Sequence, residues 1–181
     1  MYEDNGSPGR TDRHERAWQP GYMIVVHTDA DITGLGEAVE AVGHDVDILI
    51  EGHSRLSPNM AIRMARLLEA YNPFFFEEPV PPENVAEMAK VATTINIPLA
   101  TGQRLYTRWA YRDLLEKQAT DYIQPDLCHC GGFSEGRKIA AMAETYHVRV
   151  LPHNPNGPIS TLVGVHLGIC TPNLEMLEFP R

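Results

Sequence analysis

Residues 73–82 read PFFFEEPVPP, and this stretch decides the fold. Phe74, Phe75 and Phe76 demand burial, whereas Glu77 and Glu78 belong to a type almost never fully buried without a partner. A short apolar run that ends in acid and then meets prolines is a buried strand emerging at a functional edge.

The same form recurs on both sides of it. VDILIE (46–51), IPLAT (97–101), DYIQPD (121–126), VRVLPH (148–153) and EMLEF (175–179) read as strands. Helical patterns lie between them. SPNMAIRMARLLEAY opens with Ser57 as N-cap and Pro58 at the first helical position, then places Ala61, Met64, Ala65 and Leu68 on one face. ENVAEMAKVA repeats the spacing at Val85, Met88, Ala89 and Ala92, and SEGRKIAAMAETY at Ile139, Met142, Ala143 and Tyr146. YTRWAYRDLLEKQ and PISTLVGVHLGIC are weaker helical patterns. Strand–helix alternation at intervals of roughly 25 residues implies a parallel α/β sheet, doubly wound or closed as a (β/α) barrel. A doubly wound sheet concentrates its chemistry at one crossover with a Gly-rich turn, and none is present. Here every strand ends in a polar group: Glu51, Glu77, Gln103 just past its strand, Asp126, His153 and Glu178. That distribution is the barrel pattern.

Composition narrows the function. The chain has 181 residues, 43% of them hydrophobic, enough for one domain with a sizeable core. A net charge of −9 without a basic cluster argues against nucleic acid. No apolar run reaches the roughly 20 residues of a membrane span, and the polar first residues lack the apolar core of a secretory signal. Three cysteines suggest reduced thiols and a cytoplasmic protein. Cys128 and Cys130 stand one residue apart with no second pair, so they read as packing thiols rather than zinc ligands.

Oxygen-bearing side chains converging from neighbouring strand ends suit Mg²⁺, and Glu51, Glu77 and Gln103 fit that arrangement. His53 follows Glu51 by two residues, on the same side if the strand continues, and reads as an acid or base. Asp126 and His153 end adjacent strands, which would let the carboxylate hold one ring nitrogen and leave the other poised as a base.

At these residues the sequence resembles the enolase superfamily, mandelate racemase subgroup, in the manner of galactonate dehydratase-like acid-sugar dehydratases. The matching pieces are IEGHSRLSPNMAIRMA, FFFEEPVPPENV, PLATGQRLYTRW, DYIQPDLCHCGGFSE, LPHNPNGPIS and TPNLEMLEF. The resemblance implies Glu51, Glu77 and Gln103 as Mg²⁺ ligands, His153 with Asp126 as the base dyad, His53 as general acid and Glu178 as the acidic group of the last strand. It implies β-elimination of water from a sugar acid to give a 2-keto-3-deoxy acid. The segment IVVHTDADITGLGEA resembles the capping domain that precedes the barrel. It reads as a hairpin, with Met23 to His27 extended, a turn at Asp29–Asp31 and a return at Ile32–Leu35, followed by the helical stub GEAVEAVG. The resulting organisation is a disordered N-terminus (1–16), a capping remnant (17–38) and a partial β/α barrel of about six strands (39–181).

The pattern departs from the family in three places. Glu51 stands where galactonate dehydratase has aspartate, and Gln103 where the family has a glutamate ligand. The remainder of the cap and the first two barrel strands are absent between GLGEA and VEAVGH, which implies an internal deletion near Ala38–Val39. Unpaired strand edges would then favour self-association. Two readings follow: an Mg²⁺-dependent sugar-acid dehydratase, or an inactive remnant of one.

Overall fold

The computed structural model describes the backbone of Ile24–His27 and residues 47–179. Within these, six strands form one parallel sheet whose spatial order equals their chain order: β1 (Ile24–His27), β2 (Ile48–Glu51), β3 (Phe75–Glu77), β4 (Leu99–Thr101), β5 (Tyr122–Ile123) and β6 (Arg149–Val150). Helices α1 (Pro58–Leu68), α2 (Val85–Ala92), α3 (Thr107–Glu116), α4 (Gly132–Glu144) and α5 (Pro158–Ile169) follow β2 to β6 in turn. The sheet is an open α/β array, an incomplete barrel.

Alternation along the strands sorts the core into two layers. Ile48, Ile50, Phe76, Leu99, Ile123 and Val150 pack under the helices. Leu49, Phe75, Ala100, Tyr122 and Leu151 form a separate cluster on the inner face. The Phe run serves both layers. Phe76 is fully buried under the helices, while Phe74 and Phe75 lie 5.4 and 5.8 Å from the Tyr122 ring inside. Burial of each such ring contributes about 1.5–3 kcal/mol.

In α1 all four expected positions, Ala61, Met64, Ala65 and Leu68, are buried. Ser57 precedes the helix, but its hydroxyl makes no capping bond; its carbonyl accepts from Ala61 instead. In α2 the most buried residues are Met88 and Val91, so its stripe is turned from the expected one. In α4, Ile139 and Ala143 are buried with Gly136 and Ala140, and Tyr146 lies past the helix, exposed.

Two expectations about the sheet edges meet a different arrangement. EMLEF (175–179) is not a strand: only Leu174 bridges Val150, with Glu175 N–H donating to the Val150 carbonyl at 2.9 Å. The next ladder bond would have to come from Pro152, which has no N–H to give. At the other edge, Ile24–His27 is extended as expected, and the strand it pairs with is β2, in parallel register from Ile24↔Ile48 to His27↔Glu51. The segments expected to be a disordered N-terminus (1–16), a hairpin turn and return strand, and the stub GEAVEAVG, with the junction at Ala38–Val39, lie outside the described residues. No described helix is long and apolar enough to cross a membrane.

Candidate active site

Because the strands are parallel and paired with Glu51 opposite Glu77, the polar residues at their C-terminal ends gather along one edge of the sheet. Leu49 and Phe75 point to the inner face, and two residues further on so do Glu51 and Glu77. Their carboxyl groups share a hydrogen bond. Burial raises the pKa of Glu51, partly offset by the bond from Glu77 and by the His53 backbone N–H at 2.5 Å. Burial, reinforced by the charge of Glu51 and by its role as donor in the shared bond, raises Glu77 well above the usual glutamate range. Both shifts run toward the protonated form, and burial is the largest cause in each. Two buried carboxyls in contact cannot both ionise without a nearby positive charge.

Glu78 has a separate task. It is fully buried and accepts from Ser54 Oγ at 2.7 Å and Thr101 Oγ1 at 3.1 Å, and it pairs with Arg104 Nε at 3.2 Å. These bonds tie the loop after β2 to β4. In that loop the chain leaves the extended form, with His53 at φ 48° and Ser54 at φ 57°, so the simple alternation expected for His53 does not hold. The turn nevertheless keeps His53 Nδ1 3.7 Å from Glu51 Oε1, with the ring half exposed.

Gln103 follows Gly102, whose φ of +127° is open to glycine at little cost; a side chain there would also meet the Tyr111 ring at 2.9 Å. Gln103 is 4% exposed, and its Oε1 has no hydrogen-bond partner among the described residues. An unsatisfied buried acceptor costs about 1–3 kcal/mol. Among the described residues no trio of His, Cys, Asp and Glu side chains is arranged to hold a metal; the residue at 103 is an amide. Two carboxyls short of positive charge and a vacant amide oxygen nonetheless fit a hard cation with oxygen ligands.

At the other end of the edge the carboxylate of Asp126 is bonded at both oxygens. Asp126 is 1% exposed; its Oδ2 lies 2.9 Å from His153 Nδ1, and its Oδ1 accepts the Cys128 N–H at 2.7 Å. Asn156 Nδ2 adds a third donor at 3.3 Å to Oδ2. A carboxylate at Nδ1 assigns the proton to that nitrogen and leaves Nε2 free to accept one. Glu178 lies beside the dyad, its Oε2 accepting the Asn154 N–H at 2.7 Å, and its charge is felt by Glu77. The six strand-end residues thus lie on one edge, with His53 on the adjoining turn. Sequence reasoning missed Asn156, Arg104 and Gln124; for Gln124 the signal was its two-residue step from Tyr122.

This arrangement, an open parallel β/α sheet with acids and a His–Asp pair at its C-terminal edge, is the pattern of a β/α barrel, whose polar residues gather at the strand C-termini. The family model described as enolase C-terminal domain-like matches residues 12–181. The chain belongs to the enolase superfamily. It is 37% identical over 150 residues to a D-galactonate dehydratase of Ralstonia nicotianae, covering 83% of this chain and 39% of that protein. A mandelate racemase/muconate lactonizing enzyme-like protein from Rubrobacter xylanophilus aligns with a TM-score of 0.80 and 35% identity, over 82% of this chain and 38% of that one. An enolase from Agrobacterium radiobacter, solved with sodium and L-malate bound, aligns with a TM-score of 0.76 and 41% identity, over 78% and 36%. The chain spans about two fifths of the length of the relatives it matches.

Proposed function

We propose that this site dehydrates a sugar acid of the galactonate kind to a 2-keto-3-deoxy acid. The observation that carries the reading is the buried Asp126 carboxylate 2.9 Å from His153 Nδ1. His153 Nε2 takes the proton from the carbon next to the substrate carboxylate. Asp126 keeps the ring oriented and stabilises the imidazolium that results. His53 gives a proton to the 3-hydroxyl as the carbon–oxygen bond breaks, so the group leaves as water. The remaining enol tautomerises to the keto acid. Glu51, Glu77 and Gln103 would hold a Mg²⁺ ion, which when bound supplies positive charge against the negative charge building on the substrate carboxylate. Glu178 borders the same space and helps to hold the His153–Asn154 segment.

The remnant reading draws on Gln103, since two carboxylates where relatives of this kind carry three make a weaker cation site. A screen of sugar acids with Mg²⁺, scored by 2-keto-3-deoxy product and by deuterium uptake at the α-carbon, separates the two. Product or exchange supports the dehydratase; neither, with no Mg²⁺ binding, supports the remnant. The three free thiols favour a reducing, cytoplasmic setting. Self-association is favoured by the outer face of α5, where Ile159, Leu162 and Ile169 are exposed, and sedimentation tests it: a monodisperse monomer would rule it out.

A further inference from the structure

One buried side chain on the inner face has no part in the chemistry above. Gln124 follows Tyr122 of the inner cluster by two residues, and its N–H continues the ladder to the Thr101 carbonyl at 2.9 Å, so it faces the same side as Glu77. It is 5% exposed. Its amide is placed to donate to the Glu77 carboxyl. Gln124 follows β5 and Glu77 ends β3, with β4 between them.

The donor end of the amide is thereby used, and the acceptor end is left over. Gln124 Oε1 is buried with no partner among the described residues, the same condition as Gln103 Oε1. The amide's two polar atoms share one carbon, so this oxygen lies beside the Glu77 carboxyl. A single hydroxyl or ammonium donor would satisfy one of the two vacant oxygens and leave the carboxyls uncompensated. A divalent cation with an oxygen shell satisfies both kinds of deficit together.

We propose that Gln124 belongs to the cation site, its Nε2 fixing Glu77 and its Oε1 supplying an oxygen to the ion or to a water the ion carries. This residue then restores part of the ligand set weakened by glutamine at 103. The inference rests on the cation of the dehydratase reading and adds a residue to it.

The test is calorimetric titration of Mg²⁺ into the full chain as parent, Gln124→Met and Gln124→Glu, with thermal unfolding of each measured in chelator. Methionine keeps the volume and removes both polar atoms; glutamate keeps the oxygen and adds charge. The expected result is at least about tenfold weaker binding for Gln124→Met, about 1.4 kcal/mol, with parent-like or tighter binding for Gln124→Glu. Metal-free unfolding of Gln124→Met should not fall in proportion. Equal affinity of parent and Gln124→Met removes Gln124 from the site and leaves the dehydratase reading standing. Equally weakened binding in both variants assigns it to packing alone and overturns the inference. No binding by the parent removes the cation site itself, and this inference with it.

Discussion

The two ends of the candidate site's edge are built on opposite principles. At β2 and β3, burial raises the pKa of both Glu51 and Glu77, and the side-chain oxygens of Gln103 after β4 and Gln124 after β5 have no donor among the described residues. At β5 and β6, both oxygens of Asp126 are bonded, and the carboxylate of Glu178 accepts a backbone N–H. The first end is deficient in positive charge and built to receive it. The second has its carboxylates bonded and is built to hold one histidine in one tautomer. A site that needs both an exogenous charge and a fixed base divides the tasks along one sheet.

The largest expected effect comes from the His–Asp end. His153→Asn removes the nitrogen that the dehydratase reading assigns to the α-proton, so α-proton exchange in the substrate should be lost, by on the order of 10²–10⁴-fold. Exchange at the parent rate, read by NMR in D₂O, would take His153 out of the mechanism. Next is the deficient end. Gln103→Glu should tighten Mg²⁺ binding by at least about tenfold, roughly 1.4 kcal/mol, and raise any dehydratase activity with it. Equal affinities in a calorimetric titration would place Gln103 away from the cation.

The pH dependence of stability sharpens the contrast further. Glu51 and Glu77 keep their protons above the ordinary glutamate value of 4.5 in the folded chain. As pH rises past that value the unfolded chain releases protons first, so metal-free stability falls until the folded pair ionises. Glu77→Gln should flatten this fall, and Mg²⁺ should oppose it in the parent. Asp121 and Glu135 titrate in both proteins and cancel in the comparison. Denaturant midpoints between about pH 4.5 and 8 decide it; parallel curves would mean that the two carboxyls do not interact. The smallest effect belongs to Asn156→Ala. Its long bond is one of three on Asp126, and a neutral bond contributes about 1 kcal/mol, so exchange should slow by about fivefold or less. A loss as large as that of His153→Asn would make Asn156 a principal support of the base.

Much of this was legible in the sequence because period and chemistry agreed. The stripe of α1 and the five strands from β2 to β6 follow from apolar spacing alone, and the polar strand ends located the edge. What could not be read depended on three-dimensional partners. Pro152 silences one ladder bond and so demotes EMLEF, although its composition suits a strand. The loop after β2 turns through two left-handed residues because Glu78 accepts from Ser54 and the Ser54 N–H bonds the Glu78 carbonyl, which no local pattern announces. Gln124 was hidden because its significance lies in an oxygen without a partner.

The order of the sheet has a consequence for how such a chain folds and changes. Strand neighbours in space are strand neighbours in sequence throughout, so each βα unit finds its contacts in the unit just before it. Stability in such an array is close to a sum of nearest-neighbour terms, as in repeat proteins, and folding can spread outward from any pair of adjacent units. Each unit from β2 onward also brings its own contribution to the candidate site's edge. Units can thus be gained or shed at the ends of the array while the relative positions of those that remain are preserved.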